Sequence, residues 1–205
     1  MPLSPADRPQ ATASICLFCG SSNDTDPAYL AAATGFGQDL AARGVRLVYG
    51  GGGVGLMGAA ARGAHHAGGQ VFGVIPHFLR RAEIVYDEVE TVVVDTMHQR
   101  KQIMFEQSDA FAVFPGGIGT LEEVIELMSW RRLGLHTKPI LFLDLNGFWG
   151  PHFARFDHMA NEKLSPPWLA TDMLRVTRIE EVAPTLLEAI AKTPPSATSP
   201  FSRNL

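Results

Sequence analysis

The 205-residue chain is 46% hydrophobic and 19% charged, the make-up of a globular protein large enough to bury a substantial core in one domain. A formal net charge of −4 gives no general case for nucleic acid or an anionic membrane as a partner, so any phosphate site has to be local. No apolar run approaches the length of a bilayer span, and the opening "MPLSPADRPQATAS" lacks the apolar stretch of a secretory signal, which makes the cytoplasm the expected compartment.

From residue 14 onwards, short apolar runs alternate with helical patterns. "SICLFCG" predicts a strand and "PAYLAAATGFGQDLAARG" a helix, with Pro27 at its start and Gly44 past its end. "VRLVYGG" is a strand and "GLMGAAARGAHHAGG" a helix of small residues. "QVFGVIP" and "VETVVV" are strands, and "MHQRKQIMFEQS" is the helix after them. "DAFAVFP" is followed by a helix from Gly119 to Arg132, and "KPILFLDL" by a helix over "GPHFARFDHMANEKL". "RVTRIEEVAPTLLEAIAKT" closes the series as a short strand and a helix. Strands that are almost wholly apolar are buried on both faces, and their alternation with helices predicts an α/β fold with a doubly wound parallel sheet. Residues 13–192 form this single domain, and the Pro/Ser-rich segments 1–12 and 193–205 are expected to be flexible tails. Ligands in such sheets bind at the carboxyl ends of the strands.

Two cysteines, Cys16 and Cys19, form a C-x-x-C pair inside the first strand. Positions i and i+3 of a strand face opposite ways, and no second pair exists to complete a zinc site, so both are expected to be buried structural thiols. His65 and His66 lack a third ligand at useful spacing, and no metal site is expected.

Two glycine turns stand out. "VYGGGGVGLMG" contains Gly53-x-Gly55-x-x-Gly58 between a strand and a helix, but the acid that would bind a dinucleotide ribose is missing from the next strand end. A mononucleotide site or close packing are the two readings left for it. "VFPGGIGTLEEVIELMSW" carries the second turn, which lacks the lysine of a P-loop. The amides from Gly117 to Thr120, with the Thr120 hydroxyl, can still hold one phosphate monoester at the start of a helix.

Along that helix Leu121, Val124, Ile125 and Met128 form an apolar stripe, and Glu122 and Glu126 share a polar strip. Glu123 falls in line with Leu127 and Trp130, where a carboxylate needs a partner. One helix earlier, Arg100 shares a face with Met97 and Met104, and an arginine in an apolar row points to an anion or carboxylate. Both helices flank one strand, so Arg100 and Glu123 are expected to converge on one cleft.

Taken together these motifs are recognisable. "PGGIGTLEE" resembles the PGGxGTxxE signature of the LONELY GUY (LOG) family, the cytokinin riboside 5′-monophosphate phosphoribohydrolases, once widely labelled lysine decarboxylase-like. "CLFCGSSNDTDPAY", "LVYGGGGVGLMG", "MHQRK", "SDAFAVFPGG" and "LGLHTKPI" match in the family's order over about residues 14–150. The resemblance implies a Rossmann-like homodimer that cleaves the N-glycosidic bond of an adenosine monophosphate derivative to free base and ribose 5-phosphate. It implies no cofactor, and neither a nucleic-acid partner nor a membrane. It assigns Arg100 and Glu123 as catalytic. Substrate binding falls to Glu83, Lys101, Gly116, Gly117, Ile118, Gly119, Thr120, Leu121, Glu122 and Ser129. Glu122→Gln is expected to matter far less than Glu123→Gln. "MANEKLSPPWLATDM", after residue 150, departs from the family pattern.

Two other functions compete. One is a non-catalytic nucleotide or cofactor carrier on the same fold. The other is a pyridoxal-phosphate lysine decarboxylase, for which Lys101, Lys138, Lys163 and Lys192 are the available lysines and Lys101 alone is expected near the site.

Overall fold

The computed structural model describes residues 11–80 and 84–193, the side chain of Ala170 excepted. Seven strands build one sheet: β1 (Ser14–Phe18), β2 (Arg46–Tyr49), β3 (Val71–Pro76), β4 (Glu90–Val94), β5 (Ala110–Val113), β6 (Ile140–Leu143) and β7 (Leu174–Val176). Seven helices connect or follow them: α1 (Pro27–Ala42), α2 (Gly55–His66), α3 (Met97–Glu106), α4 (Ile118–Arg132), α5 (Gly150–Asn161), α6 (Trp168–Thr171) and α7 (Val182–Lys192). The short α6 lies in the segment that departs from the family pattern and was not expected from its sequence.

All neighbouring strands pair in parallel, in the order β4-β3-β2-β1-β5-β6-β7. The chain winds outward from β1 in one direction, returns, and continues from β5 in the other. The switch point therefore lies between β1 and β5, where Leu17 pairs with Ala112 and Phe18 with Val113. Loops leaving the carboxyl ends of these two strands diverge to opposite faces and leave a crevice between them.

The pleat divides the core. Ile15, Leu17, Leu47 and Ala112 pack with α1, α2 and α7, while Cys16, Phe18, Val48 and Val113 pack with α3, α4 and α5 on the other face. The small residues of α2 have a packing reason: a Cβ on Gly63 would lie 2.4 Å from the Thr34 carbonyl oxygen of α1. Larger residues would hold the two helices apart.

Burial on both faces holds for the inner strands and fails for β4. Val92 and Val93 are exposed, because β4 is an edge strand with no helix over that stretch. At the amino end, the Thr12 amide donates to the Gly44 carbonyl at 3.1 Å, so residue 12 of the expected tail is tied to the domain. The rest of both tails, 1–10 and 194–205, lies outside the described residues. Among the described residues no helix is long and apolar enough to cross a membrane.

Candidate active site

A cavity of about 690 Å³ opens at the β1/β5 switch point. It is lined by Cys19 to Ser22 after β1, Gly117 to Thr120 after β5, Met97 and Arg100 from α3, and Met57 from α2, with Glu122 and Glu123 of α4 closing one side. The two strand-end turns are joined by backbone: the Gly20 amide donates to the Pro115 carbonyl at 3.0 Å, and the Leu56 amide donates to the Gly20 carbonyl at 3.0 Å.

The β5–α4 turn is open where a ligand would need it. A Cβ on Gly117 or Gly119 would meet nothing within 4 Å. Gly117 is the N-cap of α4 and no side chain caps the helix, so the first-turn amides present their partial positive charge toward the cavity. Gly116 behaves differently. Its Cβ would lie 2.2 Å from the Thr120 hydroxyl, which makes it a packing position rather than a cavity residue. Helix α4 starts at Ile118, one residue earlier than expected.

The buried stripe of α4 is Thr120, Glu123, Val124, Leu127 and Met128, at i, i+3, i+4, i+7, i+8 spacing. Ile125, assigned to the apolar stripe by sequence, is 44% exposed. The correction has a physical cause: at the cavity end two polar residues occupy the buried face, so the most apolar face is not the buried one. Ile125 and Ser129, both exposed, sit instead on an outward stripe, while half-buried Leu121 packs against the core, and neither Leu121 nor Ser129 lines the cavity.

Arg100 and Glu123 do converge. Thr96 and Gln99 form a capping box that fixes the start of α3, with the Gln99 amide donating to the Thr96 hydroxyl at 3.1 Å. Arg100 follows on the inward face, only 5% exposed. Its Nη2 donates to the Gly50 carbonyl at 3.3 Å and stands 3.9 Å from Glu123 Oε1. Its Nε is buried without a hydrogen-bond partner. Glu123 is 9% exposed. A pair at 3.9 Å is oriented but not closed, and a ligand hydroxyl fits against it.

Lys101 turns the other way and sits outside the lining. Its Nζ reaches Glu122 Oε1 at 2.5 Å and Glu126 Oε2 at 2.8 Å. Burial alone would lower its pKa, but hydrogen bonds and charge from Glu122 and Glu126 outweigh burial and raise it. Lys101 is therefore a held ammonium that neutralises acids beside the amide turn. Glu122 lines the cavity as well, so it is not the remote control residue that its place on the helical wheel suggested. Glu83 lies outside the described residues.

The other three lysines have structural duties. Lys138 Nζ donates to the Phe105 and Ser108 carbonyls at the end of α3, each at 2.7 Å. Lys163 takes a positive φ of 60° in the turn after α5, and Lys192 pairs with Glu188 on α7. None of the four lysines lines the cavity, so the site does not fit a pyridoxal-phosphate Schiff base. Cys16 and Cys19 are both buried and neither is in a disulfide, and burial, with the Glu123 charge adding to it, pushes the Cys16 thiol up.

Sequence reading missed three contributors: the Cys19–Ser22 loop, Met57 and Met97. All three lie in stretches matched to the family, and Met97 was placed on the face of Arg100, but none was assigned to the site. His65 and His66 do meet a third group, Glu88, brought alongside by the fold with ligand atoms within 4.8 Å of one another. His65 Nδ1 is already 2.8 Å from the Tyr86 hydroxyl, and the cluster lies at the end of α2 away from the cavity.

A family model described as "Possible lysine decarboxylase" matches residues 57–186. The chain is 42% identical over 179 residues to the "Probable cytokinin riboside 5'-monophosphate phosphoribohydrolase LOGL2" of Oryza sativa subsp. japonica, covering 87% of this chain and 70% of that one. It is 44% identical over 154 residues to the cytokinin riboside 5'-monophosphate phosphoribohydrolase LOG7 of Arabidopsis thaliana, covering 75% of this chain and 71% of that one. Among solved structures, the molybdenum cofactor carrier protein of Chlamydomonas reinhardtii superposes with a TM-score of 0.68 at 22% identity, over 87% of this chain and 98% of that one. That likeness concerns the Rossmann-like fold alone. The matched relatives and the ordered motifs around the cavity together show that the chain belongs to the LONELY GUY family of cytokinin riboside 5′-monophosphate phosphoribohydrolases.

Proposed function

We propose that the protein is an N-glycosyl hydrolase that cleaves cytokinin riboside 5′-monophosphates, and AMP, to the free base and ribose 5-phosphate. The observation that carries this reading is the placement of the Arg100–Glu123 pair across one cavity from an uncapped helix start. The 5′-phosphate docks on the amides of Gly117 to Thr120, and the ribose spans the gap to Glu123, about one helical turn or 5.4 Å along α4. As the bond from C1′ to the base nitrogen breaks, positive charge builds on the ribose, and the Glu123 carboxylate stabilises it and orients water. The water hydroxyl ends on C1′ and its proton on the departing base. Arg100 holds the sugar hydroxyls and faces the buried Glu123 carboxylate. Met57 and Met97 offer an apolar wall for the base.

The held charges support a reading in which acids sit near a phosphate site. Glu123 faces Arg100 and Glu122 faces Lys101, so neither presents a bare charge to the anion. The protein is further read as a homodimer in which a second copy covers the outward Ile125 and the 62% exposed Leu133. The net charge of −4 suits a protein without a nucleic-acid partner. The cytoplasm suits two buried cysteines that form no disulfide.

The test is a product assay on nucleoside 5′-monophosphates and the corresponding nucleosides. Ribose 5-phosphate should appear from the monophosphates and hardly any ribose from adenosine; equal turnover of AMP and adenosine overturns the phosphate-site reading. Binding of monophosphates with no product release would instead identify a carrier. Glu123→Gln should keep its circular dichroism and lose turnover by at least about a hundredfold, roughly 3 kcal/mol of transition-state stabilisation. Arg100→Ala should also lower turnover.

A further inference from the structure

The glycine run after β2 holds no place in the substrate site as described, apart from Met57 beyond it. Its first residue, Gly50, is buried and lies directly against Arg100. A Cβ built on Gly50 would stand 2.0 Å from Arg100 Nη2, 3.1 Å from Cζ and 3.1 Å from Met57 Sδ. The Gly50 carbonyl accepts the hydrogen bond of the same Nη2 at 3.3 Å, and this nitrogen is the one that faces Glu123. The remaining polar contact of the guanidinium is a weak one, from Nη1 to Met97 Sδ at 3.9 Å. One backbone position thus supplies both the slot the guanidinium occupies and its backbone acceptor.

We propose that Gly50 is a positioning residue for Arg100: its missing side chain sets how far the guanidinium reaches toward Glu123. This rests on the reading of Arg100 and Glu123 as the reactive pair. Gly50 is not among the glycines with positive φ, unlike its neighbour Gly51 at 81°, so alanine is compatible with the backbone there. The three atoms nearest to such a methyl group, Nη2 and Cζ of Arg100 and Sδ of Met57, all belong to flexible side chains. The methyl therefore displaces Arg100 rather than the strand, which separates Gly50 from glycines whose neighbours are backbone.

Gly50→Ala is the test. The variant should melt within a few degrees of wild type and lose turnover by about tenfold or more, the scale of a misplaced reacting group. On an Arg100→Ala background, Gly50→Ala should cause no further loss, since the group it acts on is gone. The Nε–H resonance of Arg100 in a ¹⁵N spectrum should shift in Gly50→Ala whether or not any substrate is turned over. Wild-type turnover in Gly50→Ala, a loss that multiplies with that of Arg100→Ala, or an unchanged Nε–H signal overturns the proposal. So does a chain that unfolds even when Gly50→Ala is combined with Arg100→Ala, because the space would then belong to the fold. If wild type releases no ribose 5-phosphate from any monophosphate, the hydrolase reading fails instead, and the resonance still decides the placement.

Discussion

The β5–α4 turn and the β2–α2 turn both bring glycines to the start of a helix at the carboxyl edge of the sheet, yet they do opposite work. At Gly117 and Gly119 the space of a side chain is open. At Gly53, Gly55 and Gly58 it is filled by backbone: the Ile84 carbonyl oxygen at 2.3 Å, Ser21 at 2.4 Å and the Gly53 carbonyl oxygen at 2.1 Å. Asn23 Oδ1 accepts from the Gly55 amide at 2.7 Å, and Arg62 donates to the Gly53 carbonyl at 2.8 Å, so the protein itself already engages two polar groups of this turn. One turn keeps the space beside its glycines open. The other fills that space with the backbone of neighbouring segments. A glycine motif therefore states only that something comes close; what comes close distinguishes a binding turn from a packing turn.

The sharpest way to break this contrast is to add a methyl group to each turn. Gly58→Ala should cost roughly 3 kcal/mol or more, since backbone cannot step aside, and appear as a fall of about 10 °C in Tm. A Gly58→Ala chain with wild-type Tm would remove the packing role. Acid probes the opposite turn through the far end of its helix. His136 Nε2 donates to the Leu127 carbonyl of α4 at 2.9 Å. Burial, with Arg131 and Lys138 adding and the Leu127 bond opposing, lowers its pKa to about 4. The unfolded chain takes up that proton near pH 6.5, so it binds more protons than the folded chain in the interval between. Stability should fall as the pH drops from about 6.5 to about 4, by roughly 3 kcal/mol in all. Urea midpoints of wild type and His136→Gln across that range check this, and parallel slopes would refute it.

Smaller effects sharpen the picture at the open turn. Gly117→Ala should leave Tm within about 2 °C of wild type while raising KM for the monophosphate about tenfold, as the methyl crowds the anion. An equal loss of stability and affinity would make this turn a packing turn too. Lys101→Gln should release the charge of Glu122 beside the phosphate and raise KM about fivefold, the scale of a partly exposed ion pair at roughly 1 kcal/mol. The kcat should stay near wild type, and added salt should narrow the gap. A drop in kcat alone would mean Lys101 acts on the reaction rather than on the charge balance.

Much of this protein is written along the chain. Alternating apolar runs and helical periods fix a parallel sheet because strands buried on both faces admit no polar alternation, and all seven strands fall where those runs lie. Arg100 and Glu123 were legible because each is a charge where its helix should be apolar, and burial of a charge demands a partner. Tertiary structure alone decided the rest. It put Lys101 against Glu122 and Glu126 rather than in the cavity, turned Ile125 and Ser129 outward, and set Glu88 beside two histidines. It also decided which glycines face a ligand and which face Arg100 or another backbone. Periodicity reports which way a residue points from its own element, but a contact between elements depends on how far apart they pack, and that distance is set jointly by side chains remote from one another in sequence.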